Sequence, residues 1–343
     1  MSGPDDTSGV ATAGDPVDPE GHYLELLEDE AAAEEIGSEV GSAPPRSQWQ
    51  LFRRRFVRHK LAMFGLVVLI ILCLAIFFAS LWVPHSPTDQ DILAGAQAPN
   101  GDHWFGTDNN GRDYFARVIF AGQISLKIGL AVALISTLVG TVSGALAGFF
   151  GKWVDQLLMR VTDLFLIVPG IAVLAVGLKF ATSDQNPVGR FVRGEGSEPR
   201  FGTDSIIIIV LAMLGWMSIA RVVRGQILSI KEKEFVEAAR AVGASNFRII
   251  TRHLLPNCIG PIVVNATLAI AVAIVAESTL SFFGFGVQIP ETSWGQMLDD
   301  AKANIYFDEH LLYFPGLFIL LTVLCVNFVG DGLRDAFDPQ SRR

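Results

Sequence analysis

Few residues of this chain combine a type and a setting that could do chemistry. Glu277 is the first, because it follows an uncharged apolar run of 23 residues, 254–276. An ionisable group at membrane depth is energetically costly and commonly serves a pathway or a gate. Ser278, next to it, could share that role. A second interpretation stays open, since Glu277 at the end of the run could reach interfacial water and only cap or pack the helix.

Nucleotide and metal chemistry are not predicted. A P-loop needs Gly-x4-Gly-Lys-Ser/Thr to hold phosphates. The nearest stretch, Gly151-Lys152-Trp153, has Leu146 at the first glycine position and tryptophan where the hydroxyl should be. The six histidines and three cysteines show no metal-ligand or disulfide spacing, so neither a cofactor nor a metal is expected. We therefore expect no enzymatic activity, and any energy from ATP must come from a partner.

The segment 235–256 could bind another protein. Each of its halves carries an apolar stripe at the i, i+3, i+4, i+7 spacing of one helix face. Gly243 separates the halves and can adopt the left-handed conformation that ends a helix, and Ser245 can cap the next helix. The sequence predicts a two-helix projection on the water side of a membrane protein, suited to a groove on a partner.

The composition indicates which elements position these residues. Of 343 residues, 50% are hydrophobic and 18% are charged, with a mean hydropathy of +0.41. These values favour a multi-span membrane protein over a soluble one. Residues 1–45 hold 12 acidic and no basic residues, whereas the other 298 hold 23 acidic and 26 basic ones. We expect 1–45 to be a disordered acidic cytosolic tail.

Six apolar segments predict six transmembrane helices. They are 61–83, 128–151, 164–178, 205–220, 254–276 and 311–330. A span needs about 20 residues, so the third and fourth segments are short and must include flanking polar residues. Pro169-Gly170 and Pro315-Gly316 should bend or interrupt their helices. Glycines 140, 144 and 148, four residues apart, predict close packing against another helix.

The distribution of basic residues predicts the orientation. With the amino terminus inside, the cytosolic segments hold 18 Lys/Arg and the outer segments hold 8. A basic cluster at 53–60 precedes the first span and should dominate. We therefore expect both termini, and the segment 235–256, to be cytosolic in a multi-pass protein of the cell membrane.

The segment 235–256 resembles the EAA loop of ABC-importer permeases. In that family Glu-Ala-Ala, a later glycine and a Leu-Pro pair recur, and the loop inserts into the ATP-binding subunit. The matching residues, together with the capping serine, are Glu237, Ala238, Ala239, Gly243, Ser245, Leu255 and Pro256. The alternative interpretation is an ordinary cytosolic helical hairpin.

Two outer segments strengthen the resemblance. The stretch 105–118 is similar to the Phe-Gly-Thr-Asp…Gly-Arg-Asp segment of dipeptide, oligopeptide and nickel permeases of the C-subunit type. Its matching residues are Gly106, Asp108, Gly111, Arg112 and Asp113. We favour a structural plug at the outer membrane face over direct substrate contact, with Asp113 capping a short helix. The stretch 277–287, followed by Trp294-Gly295, resembles the same family's signature at the end of span five.

The resemblance covers about residues 46–336 and implies an all-α, type I ABC importer permease fold with a cytosolic coupling loop. Residues 46–123 would form a basic amino-terminal helix, the first span and an outer segment, and 124–336 the core with five spans. The implied partners are a second homologous permease, two ATP-binding subunits, an extracytoplasmic binding protein and the lipid bilayer, with no nucleic acid. The implied function is ATP-driven import of dipeptides, oligopeptides or related solutes. An ion-coupled secondary transporter is the alternative.

Overall fold

The computed structural model is almost entirely helical. It describes residues 48–92, 95–167, 169–183, 185, 202–288, 291–304 and 308–338. The acidic tail 1–45 and most of the segment 183–203 therefore lie outside the described residues. Within the described ranges there is no β-strand, and the single isolated bridge joins Thr107 to Asp113.

The helices in chain order are α1 (Gln48–Arg58), α2 (Lys60–Phe77), α3 (Ala79–Trp82), α4 (Tyr114–Phe150), α5 (Lys152–Ile167), α6 (Gly170–Thr182), α7 (Thr203–Ile230), α8 (Glu234–Ala241), α9 (Asn246–Ile249), α10 (Ile259–Phe282), α11 (Trp294–Ala301) and α12 (His310–Phe337). A π-helical turn, Ile250–Leu254, and a 3₁₀ turn, Leu255–Cys258, join α9 to α10.

Five helical stretches are long and apolar enough to cross a membrane, and a sixth span results if α5 and α6 count as one bent pair. The five stretches include α2, α4, α7, α10 and α12. An all-α polytopic membrane protein is thus confirmed. The predicted fourth span looked short because it ended before Arg221, but α7 continues through this residue to a length of 28 residues.

Two predictions about helix limits need correction. Asp113 caps a helix as expected, but that helix is not short, since α4 runs unbroken for 37 residues and includes the predicted second span. Pro315 does not interrupt α12, which continues through it. The N–H that Pro315 lacks would have bonded the carbonyl of Leu311, and the hydroxyl of Tyr114 donates to that carbonyl instead, at 2.5 Å.

The bend at Pro169 follows the prediction. Helix α5 ends at Ile167, α6 begins at Gly170, and their axes differ by 88°. The third span is therefore a broken element. Helix α5 is held to α7 by two ion pairs, Arg221 with Asp163 (2.5 Å) and Arg224 with Asp155.

The glycines of α4 form its seam with α7. A Cβ at Gly140 would lie 2.7 Å from the carbonyl oxygen of Trp216, and one at Gly148 would lie 2.8 Å from Cβ of Ile227. At Gly144 the collision would be with the backbone of Ala220. The predicted close approach is confirmed, and it places the two helices backbone against backbone.

Candidate coupling loop and membrane-embedded sites

The loop 235–256 has the local geometry that its sequence predicts. Helix α8 ends before Gly243, whose φ of +81° lies in the left-handed region. The Ser245 hydroxyl then accepts a hydrogen bond from the backbone N–H of Arg248 at 3.4 Å and caps α9. The chain thus reverses between two helices at a position where a residue with a Cβ would be strained.

One side of this loop is packed inward. Val236, Ile249 and Leu254 are fully buried in a cluster with Ile227 of α7 and Ala145 of α4. Leu255 is half-buried and contacts the same cluster, whereas Pro256 is exposed within the 3₁₀ turn. The inward side therefore fixes the loop rigidly to the ends of the spanning helices.

The other side presents apolar groups to solvent. Phe247 is 76% exposed, Val242 is 89% exposed and Phe235 is 41% exposed. Ala238 is also exposed on α8, and Ala239 is half-buried. Large apolar side chains held outward on a rigid support are typical of a surface that another protein covers.

Glu237 gives this exposed surface a negative charge. It is exposed in the first turn of α8, where the partial positive charge of the helix start stabilises a carboxylate. No ion pair to Glu237 occurs among the described residues. Arg240, one turn later, lies over the ring of Phe149 at 5.8 Å from its centroid and so leans back on α4.

Glu277 is fully buried in α10 and surrounded by hydroxyls. Its Oε1 accepts hydrogen bonds from Ser293 at 2.6 Å and from Ser281 at 2.7 Å. Its Oε2 has the hydroxyls of Ser125 and Ser278 at 3.5 Å. No Lys, Arg or His in the described ranges forms an ion pair with it, so the four serines are its polar surroundings.

This hydroxyl cage connects three helices. Ser125 belongs to α4, and Ser293 caps α11 by accepting from the N–H of Gln296. The N–H of Trp294 donates to the Ser125 hydroxyl at 3.1 Å, and the indole N–H of Trp294 donates to the Val118 carbonyl at 2.8 Å. Glu277 therefore lies where α4, α10 and α11 meet.

Ser278 lies at the contact between α10 and α11 and also lines a groove. A Cβ at Gly295 would lie 2.5 Å from Cα of Ser278, so a glycine is needed for α11 to lie directly on α10. Ser278 also lines an apolar groove of about 390 Å³ between α10 and α12, together with Gly316. Glu277 does not line this groove.

Asp108 organises the turn before α4, within the stretch 105–118. Its Oδ1 accepts from the backbone N–H groups of Asn110 and Arg112, at 2.9 and 3.0 Å. Its Oδ2 accepts from the Arg112 side chain at 2.7 Å and from Arg117, a buried residue of α4, at 2.5 Å. Arg117 also reaches Asp300 on α11 at 3.3 Å. The carboxylate thus closes a tight turn and fastens it to two helices.

Asp113, Gly106 and Gly111 complete this turn. Asp113 caps α4 through Oδ2, which accepts from the Ala116 N–H at 2.7 Å. Both glycines have positive φ, +77° and +71°, and a Cβ at either would collide with backbone of residues 91–98. The described contacts of all five residues are made within the protein and fix the shape of the turn; the structural plug favoured from the sequence stays a prediction.

The sequence did not indicate a cluster of three charged residues, Lys127, Asp204 and Glu291. Lys127, within α4, pairs with the buried Asp204 at the start of α7, at 2.5 Å. Glu291, just before α11, lies close by. Burial raises the pKa of the Glu291 carboxyl, the negative charge of Asp204 adds to this, and Lys127 opposes it. The sequence separates these residues by up to 164 positions, so no local pattern indicated them.

A groove on the loop side of the molecule separates α7, α10 and α12. Its volume is about 690 Å³, and it is lined by polar groups, among them Lys233, Asn265 and Arg334, together with Phe235 of the loop. The apolar outer face of the loop and this polar groove therefore share one end of the molecule.

Long apolar helices and a bent helix pair define a polytopic membrane protein, and its helical loop presents an apolar face outward. The chain belongs to the family of binding-protein-dependent transport system inner membrane components, whose model matches residues 140–343. Residues 47–99 match the N-terminal TM domain of oligopeptide transport permease C. The resemblance to ABC importer permeases of the C-subunit type is therefore confirmed.

Named relatives agree with this assignment. The dipeptide transport system permease protein DppC of Bacillus subtilis (strain 168) is 40% identical over 301 residues, 88% of either chain. The oligopeptide transport system permease protein OppC of Haemophilus influenzae is 39% identical over 302 residues, 87% of this chain and 90% of that protein. In fold, the chain is similar to one from inward-facing structures of the MetNI methionine ABC transporter. That match has a TM-score of 0.51 at 19% identity and covers 65% of this chain and 97% of the other.

Proposed function

We propose that this chain is the transmembrane permease subunit of an ATP-driven importer for dipeptides, oligopeptides or related small solutes. Family membership supports a transport role, and relatives named for dipeptide and oligopeptide transport support the substrate class. The described grooves carry no dense row of charges, which agrees with a pathway of low selectivity. Substrate choice then rests mainly with a separate binding protein.

Coupling to ATP hydrolysis takes place through the loop 235–256. The observation that carries this proposal is that the loop buries apolar residues on one side and exposes apolar residues on the other. Val236 and Ile249 are fully buried inside, while Val242 and Phe247 are outside and largely exposed. A rigid support with an exposed apolar face transmits force only when a partner covers that face. Glu237 adds a charge that a basic group in the partner groove can meet.

The proposed function requires several partners. Two ATP-binding subunits engage the coupling loops of this chain and of a second, homologous permease. An extracytoplasmic binding protein delivers the solute to the outer face. Nucleotide-driven closure of the ATPases shifts the permease pair between outward-facing and inward-facing states. Both termini and the coupling loop are cytosolic in this arrangement.

Glu277 acts as an internal tie rather than as a gate. Its carboxylate is the common acceptor of hydroxyls from α4, α10 and the start of α11, and the described cavities do not reach it. Ser278 has a closer relation to the pathway, since it lines the groove between α10 and α12. An ion-coupled transporter would need ionisable groups along its pathway, and the sealed position of Glu277 argues against one.

ATP-dependent uptake by the reconstituted complex tests this function. The purified permease pair, its ATPases and its binding protein in vesicles should accumulate labelled dipeptide only with ATP. Dissipating proton and sodium gradients should leave uptake unchanged. Glu237→Lys should abolish uptake while the subunit still inserts. Uptake that needs a gradient and ignores ATP, or full activity of Glu237→Lys, would overturn the proposal.

Cysteine labelling tests the orientation. Ser245 and Asn110 are both exposed and lie at opposite ends of the molecule in this proposal. In a background without Cys73, Cys258 and Cys325, Ser245→Cys should react with an impermeant thiol reagent only from the cytosolic side. Asn110→Cys should react only from outside. Labelling of Ser245→Cys from outside would contradict the topology and the coupling role together.

A further inference from the structure

Two histidines and an aspartate converge at the outer end of α4. His85, His103 and Asp113 each offer one ligand atom, and these atoms lie within 4.8 Å of one another. His103 Nδ1 lies 2.8 Å from Asp113 Oδ1, and the imidazole rings of His85 and His103 have centroids 5.1 Å apart. The three residues come from separate parts of the outer segment, so their spacing along the chain is not that of a known metal-ligand pattern.

The surrounding structure holds these segments together. The ring of Phe115 contacts Trp82 at 5.6 Å, Trp104 at 4.9 Å and Phe105 at 4.9 Å between centroids. Each of the three ligand residues stands within three positions of a member of this aromatic cluster. The turn that carries His103 is fixed further, because its backbone N–H donates to the Asn100 side chain at 2.8 Å. His103 and Asp113 are therefore held in place by the fold, and His85 lies beside them on the exposed side.

We propose that His85, His103 and Asp113 bind a divalent transition-metal ion such as Zn²⁺. Two imidazole nitrogens and one carboxylate oxygen form a donor set that suits zinc, with a fourth position left for water. Ligand atoms on a tetrahedral zinc lie about 3.4 Å apart for bonds of about 2.1 Å, so a small movement of the exposed His85 closes the site.

The carboxylate of Asp113 can cap α4 and bind the metal ion at the same time. Its Oδ2 remains on the Ala116 N–H as the cap of α4, while Oδ1 faces the histidines. A bound ion would thereby link the end of the first span, the outer turn and the start of α4. This role is independent of which solute is transported.

Zinc binding to the purified full-length permease tests the proposal. The protein carries an affinity tag without histidines, is stripped with a chelator and is dialysed against Zn²⁺, and bound metal is counted by mass spectrometry. Wild type should bind one equivalent more than His85→Ala or His103→Ala. His253→Ala, on the coupling loop, is the matched control and should keep the wild-type count.

Asp113→Asn provides a second, conservative variant. Asparagine keeps an oxygen for the Ala116 N–H but removes the anionic ligand, so Zn²⁺ affinity should fall about tenfold or more while the fold persists. Co²⁺ should give visible absorption of a tetrahedral site in wild type alone, and Zn²⁺ should raise the thermal midpoint of wild type alone. Equal zinc counts and equal thermal shifts in wild type and His103→Ala would overturn the site, as would a wild type that binds no ion.

Discussion

Truncation of Phe247 separates the coupling role of the loop from its folding. The Phe247 side chain is 76% exposed in the isolated subunit, so Phe247→Ala removes little packing within the permease. In the assembled transporter, however, the same side chain should fill a pocket of the ATPase subunit. The substitution should therefore weaken assembly and transport while the thermal stability of the permease itself stays near the wild-type value.

The structure gives the expected size of this effect. A phenylalanine side chain buries about 200 Å² when it is fully covered. The exposed share leaves on the order of 150 Å² for the partner, worth up to about 4 kcal/mol at ~25 cal/mol per Å². Interface truncations of large aromatic anchors commonly cost about 2–4 kcal/mol. We therefore expect the dissociation constant of the ATPase subunit to rise by roughly thirtyfold to several hundredfold.

Two control variants make the result interpretable. Ile249→Ala, on the buried side of the same loop, should lower the thermal stability of the permease by the equivalent of about 2–5 kcal/mol. Phe64→Ala, at an exposed position of α2, removes the same side chain type far from the loop in sequence and should leave ATPase binding unchanged. Binding is measured with immobilised permease in nanodiscs, and coupling by ATPase activity and uptake.

The outcome that refutes this reasoning is specific. If Phe247→Ala bound the ATPase with wild-type affinity and transported at the wild-type rate, the outward face of the loop would not be the docking face. A fall in permease stability as large as that of Ile249→Ala would instead mean that Phe247 packs within the subunit. Either result would remove the main support for coupling through 235–256.

Three further predictions concern other parts of the chain. Gly144→Ala should destabilise the subunit by about 1–3 kcal/mol, because its Cβ collides with the backbone of α7. Gly225→Ala, where a Cβ meets nothing within 4 Å, should not, and equal thermal midpoints would contradict the seam. Glu277→Gln should retain most uptake because it keeps an acceptor for the two serines, whereas Glu277→Leu should lose folded protein. Loss of uptake in well-folded Glu277→Gln would support a gate instead. Deleting residues 2–45 should leave uptake largely intact, and a truncated subunit that inserts but transports nothing would give the tail an essential role.

Local geometry followed from the sequence where it depends on neighbouring residues. The reversal at Gly243, the caps at Ser245 and Asp113 and the break at Pro169 are set by the backbone preferences of one or two residues. The close packing of the α4 glycines against another helix could also be predicted, since a spacing of four residues keeps small residues on one helix face. Such features need no knowledge of the tertiary fold.

The sequence could not reveal which residues on other helices contact its charged groups. The short fourth segment required flanking polar residues, and α7 does continue through Arg221, but the ion-pair partner of Arg221, Asp163 on α5, could not be foreseen. The surroundings of Glu277 could not be predicted either, because Ser125 and Ser293 lie 152 and 16 positions away. A hydropathy pattern counts charges along the chain and does not record their partners on another helix.

The two ends of α10 are restrained in different ways, and this difference bears on the mechanism. Its loop-side end continues into the turns that carry Leu254 and Cys258, which are buried with Ile227 of α7 in an apolar cluster. Its other end is held by hydrogen bonds from Ser293 to Glu277. Dispersion contacts tolerate small sliding, whereas buried hydrogen bonds to a carboxylate have narrow geometry. A push on the coupling loop should therefore tilt α10, together with α4 and α7, about the fixed serine cage, and open or close the molecule mainly at the loop side.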